Sequence, residues 1–225
     1  MLVRSTAFLL LVACASGGGD TTTTSVPLLR YLALGGSYTI GESVAATERW
    51  PVVLGRALEA ERLGPVEVEI VARTGWTTAE LDLGIDRANP QGPYDLVTLL
   101  IGVNNQYRGL SLQTYESEFA VLLDRALGFA GGDPSRVIVV SIPDWGVTPF
   151  AGGSDRARIA TEIDAFNAAA QAIAGGTGVA FVDVTAISRS GAVGLVADDG
   201  LHPSAEQYRL WVEAILLTAV GVVGG

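Results

Sequence analysis

The sequence predicts a single α/β domain in which a five-stranded parallel β-sheet lies between two layers of helices. Apolar segments of strand length alternate along the chain with longer segments in which the apolar residues follow helical spacing. The segment at 94–101 is almost wholly apolar, which is typical of a parallel strand buried on both faces. This alternation indicates a three-layer α/β/α architecture.

The predicted elements follow one another in a regular order. Strands are predicted at residues 28–34, 66–72, 94–101, 136–142 and 179–184. Helices are predicted at residues 51–62, from 77 or 78 to 88, and at 111–129, 154–174 and 204–220. Pro51 suits the first turn of its helix, and the side chains of Thr77 or Thr78, Ser111 and Ser154 can cap the helices that follow them.

The composition fits one folded domain and excludes several functional classes. The chain has 225 residues, of which 49% are hydrophobic and 17% charged, so it can bury a sizeable core. Its net charge of −10, without a cluster of Lys and Arg, argues against nucleic acid as a partner. The single cysteine, Cys14, and the single histidine, His202, exclude an internal disulfide and a multi-histidine metal site. No cofactor or metal is implied, and we expect a monomer.

The N-terminus has the features of an export signal. Residues 1–13 contain Arg4, then an apolar run too short to span a bilayer, then small residues. The Leu-Val-Ala-Cys sequence that ends at Cys14 resembles the lipobox of bacterial lipoproteins, in which the cysteine receives a lipid and becomes the first mature residue. Residues 14–26 are expected to form a flexible, lipidated tether, and residues 27–225 the domain. We therefore expect an exported protein of the cell envelope, anchored to a membrane through Cys14.

Four loops carry the residue types that nucleophilic catalysis requires. Gly35-Gly36-Ser37 follows the first strand, Gly75 follows the second, and Asn104-Asn105 follows the third. In a parallel sheet these three loops share the carboxyl edge, where ligands of such sheets bind. The fourth loop, which contains Asp199 and His202, precedes the last helix and is expected to meet the same edge.

These loops could together supply a complete acyl-transfer site. A serine hydroxyl needs a base, and His202 is the only imidazole available to Ser37. The base needs a carboxylate, for which Asp199 is better spaced than Asp198. The oxyanion needs donors, and the candidates are the N–H groups of Ser37 and Gly75 and the side-chain amide of Asn104 or Asn105.

The four loops resemble the sequence markers of the SGNH hydrolases, also called GDSL esterases and lipases, over residues 28–221. Ser37, Gly75, Asn104 and His202 occupy the four marker positions, and Asp199 matches the Asp-x-x-His-Pro motif. The resemblance implies a flavodoxin-like fold and hydrolysis of a small ester or acylated substrate through an acyl-enzyme on Ser37. It also implies that His202 is the base, that Asp199 is its partner, and that Asn104 rather than Asn105 joins Gly75 and the Ser37 N–H in the oxyanion hole.

One position departs from the family pattern and keeps other functions open. Gly36 stands where the family usually has aspartate, so we expect a more flexible turn and lowered activity. Two alternatives are a carbohydrate O-deacetylase of the cell envelope and a catalytically impaired surface binding protein. The α/β-hydrolases are excluded because their Gly-x-Ser-x-Gly motif would require glycine at Thr39. Trp145 is interpreted as a packing residue, with a wall of the substrate pocket as the alternative.

Overall fold

Five parallel strands form one sheet in the order β2-β1-β3-β4-β5. The computed structural model describes residues 27–61 and 63–224, so the predicted signal segment and the whole predicted tether, Cys14 included, lie outside the described residues. The strands are β1 (Leu29–Gly35), β2 (Val66–Ala72), β3 (Leu96–Leu100), β4 (Val137–Val140) and β5 (Ala180–Val182). The five-stranded parallel sheet predicted from the sequence is confirmed.

Helices cover both faces of the sheet, as predicted. They are α1 (Ser37–Ile40), α2 (Trp50–Ala60), α3 (Thr78–Ala88), α4 (Val103–Tyr107), α5 (Leu112–Phe129), α6 (Arg156–Thr177), α7 (Thr185–Ser188) and α8 (Ala205–Val223). Short 3₁₀ turns lie at Ala46–Glu48, Pro134–Arg136, Trp145–Val147 and Pro149–Ala151. Helices α2 and α8 pack against each other, and α5 packs against both α3 and α6. Across residues 27–61 and 63–224, none of the helices has both the length and the apolar character that crossing a bilayer requires.

Side-chain caps set where several helices begin. Thr77, Ser111 and Ser204 each accept a hydrogen bond from a backbone N–H in the first turn of α3, α5 and α8. The prediction of Ser154 as the cap of α6 is wrong, because the Asp155 carboxylate accepts from the Arg158 N–H at 3.0 Å. The short helices α1, α4 and α7 were not predicted, since four or five residues are too few to show helical periodicity.

The register of the sheet brings three strand ends level with one another. Gly35, the last residue of β1, pairs with Ala72 at the end of β2 and with Leu100 at the end of β3. The chain passes from β1 to β2 on one side and then crosses to β3 on the other. The crevice beyond the carboxyl ends of β1 and β3 is therefore a topological switch point, where open α/β sheets bind ligands.

Candidate active site

Ser37 lies at the switch point because the chain turns sharply after β1. It is the first residue of α1 and is largely buried. The turn requires glycine at Gly35, since a Cβ there would overlap Thr39 Oγ1 and lie 2.5 Å from the Leu100 carbonyl oxygen. The first N–H groups of a helix have no acceptor within it, so the Ser37 N–H can serve a ligand.

Gly36 is not under the same steric constraint. A Cβ at this position would lie 3.5 Å from Ile101 Cδ1 and 3.6 Å from the Trp76 carbonyl oxygen, which are ordinary contact distances. Its φ of −114° is also open to residues with side chains. The space around the turn therefore does not explain why glycine replaces the aspartate usual in the family.

Gly75 and Asn104 lie in the loops that follow β2 and β3. Gly75 has a φ of +87°, in the region that favours glycine, and its carbonyl accepts from Arg108 Nη2 at 2.5 Å. Asn104 Nδ2 donates to the Trp76 carbonyl at 3.0 Å, so it links α4 to the residue after Gly75. An amide nitrogen carries two hydrogens, and the second can serve a ligand.

The neighbouring asparagine has a different environment. Asn105 is fully buried, and its Oδ1 accepts from the Thr78 N–H at 3.0 Å while its Nδ2 donates to Thr78 Oγ1 at 2.6 Å. These contacts join α4 to the start of α3. The structure therefore places Asn104, and not Asn105, at the candidate site.

Asp199 and His202 lie in a tight loop between α7 and α8. Val196 and Pro203 form an antiparallel bridge, the Ala197 N–H donates to the His202 carbonyl at 2.8 Å, and Gly200 has a φ of +74°. This turn brings Asp199 Oδ2 to 2.5 Å from His202 Nδ1. The direct contact favours Asp199 over Asp198 as the partner of the imidazole. The His202 ring is mostly buried, with the Tyr38 ring against it at 5.8 Å between centroids.

The Asp199 carboxylate accepts four hydrogen bonds. Its Oδ1 accepts from the N–H groups of Leu201 and His202, both at 2.9 Å, and its Oδ2 accepts from His202 Nδ1 and from Ser43 Oγ at 2.6 Å. Partial burial by itself raises the pKa of this carboxyl, but the bonds from Ser43, His202 and the two backbone groups outweigh burial. The pKa of Asp199 is therefore well below its ordinary value, and the group remains an anion.

A cleft of about 150 Å³ opens at this edge of the sheet, and four of the five predicted site residues line it. Its walls are Ser37, Tyr38, Thr74, Gly75, Val103, Asn104, Tyr107, Trp145, Phe150, Leu201 and His202. Asp199 lies behind His202 and contacts it. Within the described residues the Ser37 hydroxyl makes no hydrogen bond to the imidazole, although the two side chains share the cleft. In unliganded enzymes such contacts often tighten only when substrate binds.

Trp145 fits both interpretations drawn from the sequence, since it is buried and also lines the cleft. Its Nε1 donates to Gln106 Oε1 at 2.7 Å, and Gln106 Nε2 donates to Glu162 Oε2 at 2.7 Å. The preceding residue, Asp144, is buried and accepts from Arg189 Nε at 2.8 Å. The loop after β4 is thus held in place by buried and partly buried hydrogen bonds and presents a fixed indole to the cleft.

Sequence reasoning missed several residues of the site. Tyr107 and Phe150 line the cleft and remain exposed, with 55% and 46% of their surface accessible. Their rings contact Trp145 at 5.4 and 6.0 Å between centroids. The position of the 143–153 loop after β4, at the carboxyl edge, is the signal that could have identified Phe150. Ser43 carries no such signal.

Over the part of the chain that the structure describes, no group of three or more His, Cys, Asp or Glu side chains is placed to hold a metal ion.

The fold and these residues define a hydrolase built on a flavodoxin-like α/β domain, and the comparisons give its family. A family model described as the GDSL-like lipase/acylhydrolase family matches residues 33–210. The chain belongs to this family, which confirms the resemblance to the SGNH hydrolases and makes the protein a hydrolase of ester bonds. No curated protein sequence matches the chain.

Solved structures with the same fold include several hydrolases. TesA is 19% identical with a TM-score of 0.66, and the match covers 86% of this chain and 99% of TesA. An acetylxylan esterase from Geobacillus stearothermophilus, solved as a catalytic mutant, is 19% identical with a TM-score of 0.66, over 85% of this chain and 94% of its own. A lipase/acylhydrolase from Enterococcus faecalis is 21% identical with a TM-score of 0.63, over 86% and 96%. At these identities the likeness concerns the fold.

Proposed function

We propose that the chain hydrolyses esters through an acyl-enzyme formed on Ser37. The observation that carries this proposal is the 2.5 Å contact between Asp199 Oδ2 and His202 Nδ1 at the cleft that also holds Ser37. An anionic Asp199 requires the hydrogen of the neutral imidazole to be on Nδ1, which leaves Nε2 as the acceptor. The imidazole is then in the tautomer that can take a proton from the serine.

The first half of the reaction follows from these roles. Ser37 Oγ attacks the ester carbonyl carbon as its proton moves to His202 Nε2, and Asp199 stabilises the resulting imidazolium. The oxyanion is stabilised by the N–H groups of Ser37 and Gly75 and the Asn104 amide. When the tetrahedral species collapses, the bond between the carbonyl carbon and the alcohol oxygen breaks. His202 gives its proton to that oxygen, and the alcohol leaves.

The second half regenerates the enzyme. His202 takes a proton from water as the water oxygen attacks the acyl carbon. Collapse then breaks the bond to Ser37 Oγ, which recovers its proton from His202, and the acid leaves. Every proton transfer uses the same imidazole nitrogen.

Steady-state hydrolysis of p-nitrophenyl acetate by the full chain tests the proposal. We expect Ser37→Ala to lower kcat by about 10⁴-fold or more. Ser117→Ala is the matched control, because Ser117 is an exposed serine on α5 that bonds only to the Gln113 carbonyl. Activity retained in Ser37→Ala, or lost equally in the control, would contradict the proposal.

We further propose that the acyl group is short and apolar. The cleft of about 150 Å³ is comparable to a cavity that admits a benzene-sized molecule. Apart from the candidate catalytic groups and Thr74, it is lined mainly by Val103, Tyr107, Trp145, Phe150 and Leu201. A series of p-nitrophenyl esters from acetate to laurate should give the highest kcat/KM at the short chains. A maximum at laurate would contradict the size argument and leave the mechanism intact.

A carbohydrate O-deacetylase is the second candidate, favoured by the exposed rings of Tyr107 and Phe150 at the mouth of the cleft. Aromatic rings can pack against the C–H face of a sugar, and an acetyl group fits the small cleft. The acetylxylan esterase among the similar structures is consistent with this use of the fold. If it is correct, Tyr107→Ala and Phe150→Ala will raise KM for an acetylated glycan and leave KM for p-nitrophenyl acetate unchanged. Equal changes for both substrates would favour the simple esterase.

We propose that the protein is exported and anchored through a lipid on Cys14, on the basis of the signal-like segment and the lipobox resemblance. The tether would join β1 at its amino end, whereas the cleft lies beyond its carboxyl end. Seven strand residues separate these ends by about 20 Å, so the cleft would lie at the end of the domain opposite the attachment of the tether. Cys14→Ser should move the protein from the membrane fraction to the soluble fraction. An unchanged distribution would contradict the anchor.

A further inference from the structure

Ser43 contacts the carboxylate behind the imidazole from a distant part of the chain. Its Oγ donates to Asp199 Oδ2 at 2.6 Å, and this is the same oxygen that lies 2.5 Å from His202 Nδ1. Ser43 and Asp199 are separated by 156 positions in the sequence. The bond therefore joins two segments that are distant in the sequence, the turn after the nucleophile and the loop of the base.

The turn that carries Ser43 is attached to the nucleophile. The N–H groups of Gly41 and Glu42 both donate to the Ser37 carbonyl at 3.0 Å, so the turn closes directly on the residue that bears the proposed nucleophile. The Ser43 hydroxyl then extends from this turn to Asp199. Hydrogen bonds and the short covalent turn together connect Ser37 to Asp199 and His202.

The backbone at Ser43 adopts an unfavourable conformation to make this contact. Its φ is +66°, and among the described residues other than glycine only Asn89 also has a positive φ. Asparagine tolerates this region and Asn89 ends helix α3 there, whereas serine is less suited to it. Such strain is found where the surrounding structure holds it in place, often at functional sites.

We propose that Ser43 is a positioning residue that fixes the Asp199 carboxylate, and through it the His202 imidazole, relative to Ser37. The inference rests on the proposed function, since it assigns Ser43 a role in that same reaction. With Ser43 present, both oxygens of the carboxylate have two donors each, which leaves one orientation for the group. Without Ser43, one oxygen loses its only donor besides the imidazole, and the carboxylate can rotate or bind water.

The expected effect is moderate because Ser43 is exposed, and water can partly replace its hydroxyl. Loss of a hydrogen bond to a charged group under these conditions should lower kcat by about tenfold. KM should change little, because Ser43 does not line the cleft. The effect should thus be confined to the chemical step.

Two substitutions separate the hydroxyl from the backbone strain. Ser43→Gly removes the hydroxyl and relieves the positive φ, so kcat should fall about tenfold while the thermal midpoint of unfolding holds or rises. Ser43→Thr keeps a hydroxyl but places a β-branched residue at positive φ, so the midpoint should fall while most of kcat remains. The value of kcat should therefore depend on whether a hydroxyl is present at position 43. The thermal midpoint should depend on how well the residue tolerates a positive φ.

The experiment measures kcat, KM and the thermal midpoint for the full chain, with Ser37→Ala and Ser117→Ala alongside. A Ser43→Gly variant with the kcat of the parent protein would overturn the inference, as would a loss of kcat in Ser43→Thr equal to that in Ser43→Gly. In both cases the proposed function still holds if the Ser37→Ala variant is inactive. If Ser37→Ala instead retains activity, the proposed function fails and the positioning role fails with it.

Discussion

The candidate site has two halves that are held in place by different means. The strand-held half consists of Ser37, Gly75 and Asn104, whose loops follow β1, β2 and β3, three adjacent strands that end level with one another. The loop-held half consists of Asp199 and His202, which follow no strand directly and are placed by hydrogen bonds within their loop and from Ser43. Sheet register fixes the first half, whereas local bonds fix the second.

This difference indicates which substitutions should impair each half of the site. The strand-held half can be disturbed only by substitutions that remove a donor or that overcrowd the tight turn after β1. The loop-held half depends on one carboxylate, because Asp199 contacts the imidazole and also accepts from the backbone N–H groups of Leu201 and His202. We therefore expect the largest effects of a conservative change in the loop-held half.

Asp199→Asn tests the loop-held half with the smallest change of shape. The amide can donate a hydrogen to Nδ1 and so favours the wrong tautomer of His202, and kcat should fall by about 10⁴-fold. Asp198→Asn is the matched control and should retain full activity, since the His202 imidazole contacts Asp199. A loss below tenfold in Asp199→Asn, or equal losses in the two variants, would show that the base is not oriented by this carboxylate.

Asn104→Ala tests the strand-held half. Removal of one oxyanion donor should lower kcat by about 10²- to 10³-fold and leave the thermal midpoint nearly unchanged. Asn105→Ala should do the reverse, because it leaves the Thr78 N–H without its buried acceptor, at a cost of about 1–3 kcal/mol in the free energy of unfolding. Kinetics and thermal unfolding of both variants check this pair. An Asn105→Ala variant that is inactive but as stable as the parent would indicate that Asn105, and not Asn104, is the oxyanion donor.

The turn after β1 allows a test of two adjacent glycines. Gly35→Ala should destabilise the fold by about 1–3 kcal/mol, because the new methyl group overlaps Thr39 and approaches the Leu100 carbonyl. Gly36 has room, so Gly36→Asp should fold and raise kcat severalfold by making the turn less flexible. Gly36→Ala is the control for stiffness without the carboxylate. No gain or a loss in Gly36→Asp would end the idea that this departure from the family lowers activity.

The pH dependence of stability gives the smallest expected effect. Because the pKa of Asp199 in the folded state lies below its unfolded value of about 3.9, the carboxylate stabilises the fold above that pH. This contribution is lost as the pH falls toward the folded-state pKa. The difference in thermal midpoint between the parent and Asp199→Asn should shrink as the pH falls below about 4. A difference that stays constant or grows below that pH would contradict the hydrogen-bonded, anionic carboxylate.

The sequence predicted the strand-held half well because that half depends on strand ends. The predicted bounds of β2 agree with the structure, but β3 is shorter than predicted. Tyr94 and Asp95 precede it, and their N–H groups donate to the carbonyls of Phe129 and Arg30. Apolar patterning reports burial, and a buried residue need not belong to the strand. It therefore overestimates strand length without misplacing the loop that follows.

Contacts between distant segments could not be predicted in the same way. The approach of Ser43 to Asp199 depends on a strained turn and on how the last loop packs, and neither leaves a local pattern. Tyr107 and Phe150 are exposed aromatic residues without periodicity, and only the position of the loop after β4 could have pointed to Phe150. The choice between Asn104 and Asn105 needed the family pattern, because either residue follows the strand closely enough.

Covalent labelling tests the central claim most directly. The full chain would be incubated with a fluorophosphonate and its intact mass and labelled peptide determined, with Ser37→Ala and Ser117→Ala treated in parallel. Our account predicts one adduct per chain, located on Ser37, present in Ser117→Ala and absent from Ser37→Ala. Labelling that persists in Ser37→Ala would contradict the assigned nucleophile. A parent protein that takes up no label would support the impaired binding protein instead.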